Sequence, residues 1–226
     1  MDVARMLADM ALELEQVGSP TTVLERVSHY ALRVVTAEDA GVLRLHGRSR
    51  IETPAATSER VGQAHQLQLQ FQEGPCYDAI TGRATYLTND VCHDQRWPQW
   101  GPAVAEIGIR SAVGVQLATR GRSYGSLNVY ANEEDAFSER DAEIIEMLAA
   151  HATTAFAAAH QAEGLQTAMD SRSLIGQAQG IVMQTFAIDA HTAFEFLKRI
   201  SQHENHRLVA LAEAIVVQRD ANARPS

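Results

Sequence analysis

The sequence holds only two cysteines, Cys76 and Cys92, among its 226 residues. They form no C-x-x-C pair, and a disulfide-stapled scaffold of this length would carry more, so a reducing compartment is expected. No stretch approaches the ~20 apolar residues that a bilayer-spanning helix needs. The opening MDVARMLADM lacks a basic region, an apolar run and a cleavage site, which points to a cytoplasmic protein with no membrane partner. Positive charge is also scarce. A net charge of -9 counts against a protein that coats nucleic acid through a broad basic field. Catalytic signatures are missing too: no nucleophile has a convincing partner base, there is no phosphate-cradling glycine loop, and no carboxylate pair has defined geometry. Cys92, His93 and Asp94 come nearest to a metal site, but three adjacent residues cannot comfortably ligate one ion and no second cluster has suitable spacing. Nothing around a lone histidine such as His65 or His93 calls for haem. An enzyme, a metal and a cofactor are therefore not expected.

What is present suggests two domains, for which the chain is long enough. The acid excess lies entirely in residues 1–164; residues 165–226 hold six bases and six acids and are neutral. Val3, Met6, Met10, Leu14 and Val17 lie three and four apart, predicting a helix from Asp2 to Gln16. Ser19 and Pro20 suit the start of a second, from about Thr21 to Val35. GVLRLH, RSAVGVQLAT and YGSLNVYA alternate as strands, the last two joined by a hairpin turn at Arg120 to Ser123. Between the first and second strands the reading gives a long irregular stretch with one short helix after EGPC.

At Ser138 the pattern changes. Ser138 and Asp141 resemble a capping box, Phe137 is placed as a staple against Ala142, and proline-free, alanine-rich sequence runs on to about Thr185. Leu148, His151, Ala155, Ala158, Ala162, Leu165, Met169, Arg172 and Gly176 keep a heptad spacing, predicting a continuous helix that pairs with its twin in a parallel homodimer. The alternative is a helix packed on its own sheet and broken at Gly164. Asp189 is placed to cap a helix from Ala190 to Gln202, with Ala193, Phe194, Leu197 and Ile200 on its apolar face. Asn205 is placed to cap a last helix whose Leu208, Leu211, Ala212 and Ile215 face inward. Glycine within a helix costs about 1 kcal/mol relative to alanine. Gly176 and Gly180, with Ala178 between them, are therefore expected to let neighbouring helices pack closely.

The tail resembles the ANTAR domain, a three-helix module of bacterial transcription antiterminators. Arg172, Ile175, Ala178, Gly180 and Met183 meet its opening pattern; Ala193, Phe194, Leu197, Lys198, Ser201, Asn205, Leu208 and Ala212 meet its second half. Gln179 stands where the family usually has lysine, and Val182 where it has leucine. The front part, over roughly residues 15 to 160, resembles a GAF domain, through EGPCYDAI, DQRWPQW, GIRSAVGVQL, GSLNVYA and AFSERD. Together these imply an α+β protein: a GAF-like antiparallel sheet with flanking helices, joined by a long helix to a small all-α ANTAR domain. The expected boundaries are 1–160 for a sensor and dimerisation domain and 161–226 for an RNA-binding domain. The GAF likeness also implies helices on one face of the sheet and a small-molecule pocket or plain dimerisation surface on the other.

The ANTAR resemblance implies binding to paired RNA hairpins in leader transcripts, so that a competing terminator hairpin does not form. Reading unstacked loop bases needs a local cluster of donors and acceptors rather than a basic envelope. Arg172, Gln177, Gln179, Lys198, Arg199, Ser201, Gln202, Asn205, His206 and Arg207 are the candidates, with Arg172 and Arg207 best suited to phosphate. In the sensor, Cys76, Tyr77, Trp97 and Trp100 are the candidate pocket residues for an unknown small-molecule or redox signal. Cys76 would sit in a helix's first turn, where the dipole lowers a thiol pKa, although a buried inert cysteine is the more ordinary reading. The competing functions are a GAF-type free methionine sulfoxide reductase with a cysteine nucleophile, and an interaction protein whose tail does not bind RNA.

Overall fold

The computed structural model describes residues 3–15, 17–46 and 50–223. Its elements are α1 (Val3–Glu15), α2 (Pro20–Val34), β1 (Asp39–His46), β2 (Arg50–Ala56), α3 (Glu59–Phe71), α4 (Pro75–Gly82), β3 (Tyr86–Thr88), α5 (Trp100–Glu106), β4 (Ser111–Ala118), β5 (Ser123–Ala131), α6 (Glu139–Phe186), α7 (Ala190–His203) and α8 (Leu208–Ala223). They form two compact units, Met1–His160 and Gln161–Ser226.

In the first unit the sheet order is β2-β1-β5-β4-β3, antiparallel throughout. Strand alternation sorts β5 into two faces. Leu127, Val129 and Ala131 join Met10, Leu24 and Val27 of α1 and α2 and Ile145, Leu148 and Phe156 of α6 in one core. Tyr130 turns the other way, to meet Val61 and Ala64 of α3, Cys76 of α4 and Trp100 and Val104 of α5. Helices thus cover both faces, where the family resemblance implied one covered and one left for a pocket or dimer. The stretch expected to be irregular holds two strands and three helices. β2 and β3 are edge strands: one contains Pro54, tolerated only at an edge, and the other is three residues long, so neither shows clear alternation. α3 buries Val61, Ala64, His65 and Gln68. Half of that face is polar, which hides its helical stripe. α5 is held close by Gly101, where a Cβ would stand 1.9 Å from the Val91 carbonyl oxygen.

α6 begins with the predicted capping box: the Ser138 N–H donates to Asp141 Oδ2 (2.8 Å), and the Asp141 N–H donates to Ser138 Oγ (3.2 Å). The helix continues for 48 residues, unbroken through Gly164. Leu148, expected on the pairing seam, lies in the sheet-facing core instead, whereas Leu165 and Met169 are 61 % and 66 % exposed.

In the second unit the end of α6 packs with α7 and α8 around buried Ala178, Val182, Ala193, Leu197 and Ala212. Phe196, Leu208, Leu211 and Ile215 pack against that core. α6 closes through Ala187 in the left-handed region (φ 54°), with the Ile188 N–H donating to the Met183 carbonyl at 3.3 Å. Asp189 caps α7, its Oδ1 accepting the Thr192 N–H at 2.7 Å; this bond holds its carboxyl below the usual range. Asn205 does not cap α8. It is the left-handed residue (φ 52°) that ends α7, a conformation asparagine tolerates, while the first bonds of α8 run from Ala210 and Leu211 to the Arg207 carbonyl. The packing role expected of Gly176 and Gly180 is also absent: a Cβ on either would meet nothing within 4 Å. Ala178, two residues from each, is rotated to the opposite side of the helix and is the one that is buried.

Candidate functional site

Polar side chains of the tail fall in three places. Arg172 and Gln177 are exposed on α6, where Gln177 Nε2 donates to Ser173 Oγ (3.3 Å). Gln179 is half-buried and its Nε2 donates to the Ala190 carbonyl at 2.6 Å, so this side chain ties α6 to the first residue of α7. A lysine could donate there too, but only with a charge. The second group lies at the α7–α8 turn. Ser201 Oγ donates to the His206 carbonyl at 2.6 Å, which shapes the turn that leaves Asn205, His206 and Arg207 exposed.

The third group lines an open cleft of about 720 Å³ between the end of α6 and the outer side of α7. Lys198, Arg199 and Gln202 are brought together here with His191, Phe186 and Phe196. The two phenyl rings lie 5.4 Å apart, tilted by 51°. Arg199 lies over Phe196, 6.0 Å from its centroid, and Lys198 Nζ is 3.5 Å from Glu195. The sequence reading missed Phe186, Phe196 and His191. An aromatic at a helix end reads as core, and only Phe186's 58 % exposure reveals otherwise.

In the first unit the candidate residues are turned inward. Cys76 Sγ is 2.7 Å from Gln68 Nε2, which donates to it, and 3.0 Å from the Tyr130 hydroxyl. Gln68 Oε1 accepts the N–H groups of Cys76 (2.8 Å) and Tyr77 (3.1 Å), satisfying the start of α4 from α3. Complete burial pushes the Cys76 thiol up to about 12, against the lowering expected from its place in a first turn. Trp97 and Trp100 are closed off, edge to face at 5.6 Å, with Trp97 Nε1 donating to Asp78 Oδ2 at 2.8 Å. Tyr77 is half-buried. His65, at 0 % exposure, is pushed down to about 3 by desolvation. Its Nδ1 lies 3.0 Å from Thr53 Oγ1 and its Nε2 3.2 Å from Asn128 Nδ2. Asn128 Nδ2 also faces the Gly41 and Ser126 carbonyls, so the amide nitrogen is the donor there and His65 is neutral with its proton on Nδ1. Among the described residues no group of three or more His, Cys, Asp or Glu is arranged to hold a metal ion.

A GAF-domain family model matches residues 18–157, and an ANTAR-domain model matches residues 163–216. The chain belongs to the GAF family and continues into an ANTAR domain. Solved structures share the GAF fold at low identity. The GAF domain of an Acinetobacter phosphoenolpyruvate-protein phosphotransferase aligns with a TM-score of 0.59 at 17 % identity, over 73 % of this chain and 98 % of that one. Free methionine-R-sulfoxide reductase from Neisseria meningitidis aligns with 0.54 at 19 %, over 71 % and 91 %. The bacteriophytochrome RpBphP3 of R. palustris aligns with 0.56 at 11 %, over 77 % of this chain, which spans only 41 % of that protein. At these identities the likeness shows the fold alone. Among curated proteins none matches the chain.

The GAF unit and the ANTAR unit therefore differ in how they hold reactive groups. The GAF unit encloses a thiol, an imidazole and two indoles. The ANTAR unit displays cations and an aromatic ring on its surface, and no helix among the described residues is long and apolar enough to cross a membrane.

Proposed function

We propose that this chain is a cytoplasmic, signal-responsive transcription antitermination regulator. Its ANTAR unit binds paired hairpin loops of nascent RNA, and its GAF unit controls when. The observation that carries the reading is the ANTAR match over residues 163–216, in a unit built on one small core with Arg172, Lys198, Arg199 and Arg207 exposed. Arg172, Gln177, Lys198, Arg199, Gln202, Asn205, His206 and Arg207 supply donors and acceptors for splayed loop bases and phosphates, while Gln179 and Ser201, bonded to the Ala190 and His206 carbonyls, hold that surface in shape. Two hairpins call for two readers. Leu165 and Met169, exposed on α6, are suited to pair it with the same helix of a second chain and so present two ANTAR units together. The GAF unit senses a small-molecule or redox signal and alters that pairing.

A regulator rather than an enzyme is what the domain pair suggests, and the sulfoxide reductase reading has weak chemistry behind it. Cys76 is a buried thiol pushed up to about 12, far from the accessible thiolate that nucleophilic attack requires. A gel shift of the full chain against double-hairpin leader RNA is the test, with loop-mutated RNA as control. Binding that depends on the loop bases is expected; binding indifferent to them rejects the proposal.

A further inference from the structure

Phe186 is the last residue of α6 and stays 58 % exposed although the ANTAR core lies next to it. The helix end does not need it there. The Ile188 N–H closes the end on the Met183 carbonyl, and the Ile188 and Met183 side chains pack against the core. Phe186 instead leans on Phe196 across a cleft of about 720 Å³, a volume in the range of sites that hold small organic groups. Arg199 lies over Phe196, and beside it stands Lys198, the chain's single lysine, in a protein of net charge -9. Gln202, one turn further along α7, adds both an amide donor and an acceptor.

We propose that this cleft is a subsite for one unpaired RNA nucleobase, stacked on the open face of Phe186, with the adjoining phosphate held by Arg199 and Lys198. The inference deepens the RNA-binding reading above and rests on it: it names the part of the RNA that this groove takes. An aromatic face paired with two cations is the combination that single-stranded nucleic acid selects, because every base has a π face and every nucleotide an anion. Gln202, on the wall of the same cleft, offers the base edge its amide. Glu195, 3.5 Å from Lys198 Nζ, also lines the cleft, which leaves Arg199, among the described residues, as the cation without a carboxylate beside it there and the first to meet a phosphate.

The test uses the full chain and a two-hairpin RNA, with affinity measured across a salt series. Phe186→Ala is expected to weaken binding by about tenfold to a hundredfold while leaving the salt dependence unchanged, and Phe186→Trp to bind like the parent. Lys198→Gln is expected to reduce the salt slope by about one. Because Lys198 is the only lysine, acylation by a succinimidyl ester, read on the peptide that carries Lys198 so that reaction at an α-amino group is kept apart, reports on its surroundings, and bound RNA should protect it. If the parent protein does not bind the RNA, the functional reading falls and this subsite with it. If the parent binds in a loop-dependent way but Phe186→Ala binds within twofold of it, or Phe186→Trp is as weak as Phe186→Ala, the subsite alone is wrong. Loss of self-association in sedimentation with RNA binding intact would make the cleft a contact between copies and overturn the inference.

Discussion

A Cβ at Gly101 in the GAF unit would stand 1.9 Å from a backbone oxygen, whereas one at Gly176 or Gly180 in the ANTAR unit would meet nothing within 4 Å. The same residue type thus marks opposite situations. At Gly101 glycine is required by neighbours already in place. In the ANTAR unit it keeps a strip of helix backbone bare toward solvent. The difference extends to polar chemistry: His65, Gln68 and Asn128 are wholly enclosed, while the cations of the ANTAR unit are displayed. The imidazole and amides of one unit are spent on each other, while the cations of the other face solvent.

The largest expected effect is Gly101→Ala. Its methyl would collide with the Val91 carbonyl, part of the backbone, so α5 and the Trp97–Trp100 pair must move as a group. A loss of about 3 kcal/mol or more is expected, at the upper end for overpacking. Chemical denaturation of the full chain checks this through the GAF transition. A loss within about 0.5 kcal/mol would mean that the close approach is loosely held.

Patterns that depend on short range were legible in the sequence. Ser138 with Asp141, Asp189 with Thr192, and the inward residues Ala193, Leu197, Leu208, Leu211 and Ala212 appear as the spacing predicted, because caps and helical faces are set within a turn or two; of the same expected face, Phe194 and Ile200 are replaced in the core by Phe196. α3 was not legible, since its buried face carries His65 and Gln68, polar residues whose partners all lie on other elements, at Thr53, Cys76, Asn128 and Tyr130. Periodicity of apolar residues cannot detect a helix that faces inward with an imidazole and an amide. Of the candidate site, the cationic positions were legible as exposed helix-face residues. Phe186 was not, because sequence alone does not say which of two neighbouring apolar residues, Phe186 or Ile188, closes the helix end.

His65 supplies the next prediction. Its pKa falls from 6.5 to about 3 on folding, through desolvation. The unfolded chain therefore takes up a proton near pH 6.5 that the folded chain refuses until far more acid conditions, and stability that is complete above this point declines as pH falls. At about pH 5 the loss amounts to about 2 kcal/mol. A protonated ring would also point a hydrogen at the Asn128 amide nitrogen, which has no lone pair to offer. Melting curves of the full chain between about pH 7.5 and 5 should show the GAF transition dropping, and His65→Gln should flatten that decline. An unchanged decline in the variant would place the sensitivity elsewhere.

The smallest effect is the one that tests the ANTAR side of the comparison most directly. Gly176→Ala and Gly180→Ala add a methyl where nothing stands in the way, in the interior of a helix, so each is expected to stabilise the ANTAR unit by about 1 kcal/mol. Both glycines lie at four-residue spacing from Arg172, on one exposed strip of α6. If a partner approaches the bare backbone along that strip, the methyls that stabilise the free protein will obstruct it, and RNA affinity will fall as melting temperature rises. The two readouts have opposite signs only when the strip is used. Stabilised variants that bind double-hairpin RNA as well as the parent would show that these glycines are idle, and would confine recognition to the cleft and the α7–α8 turn.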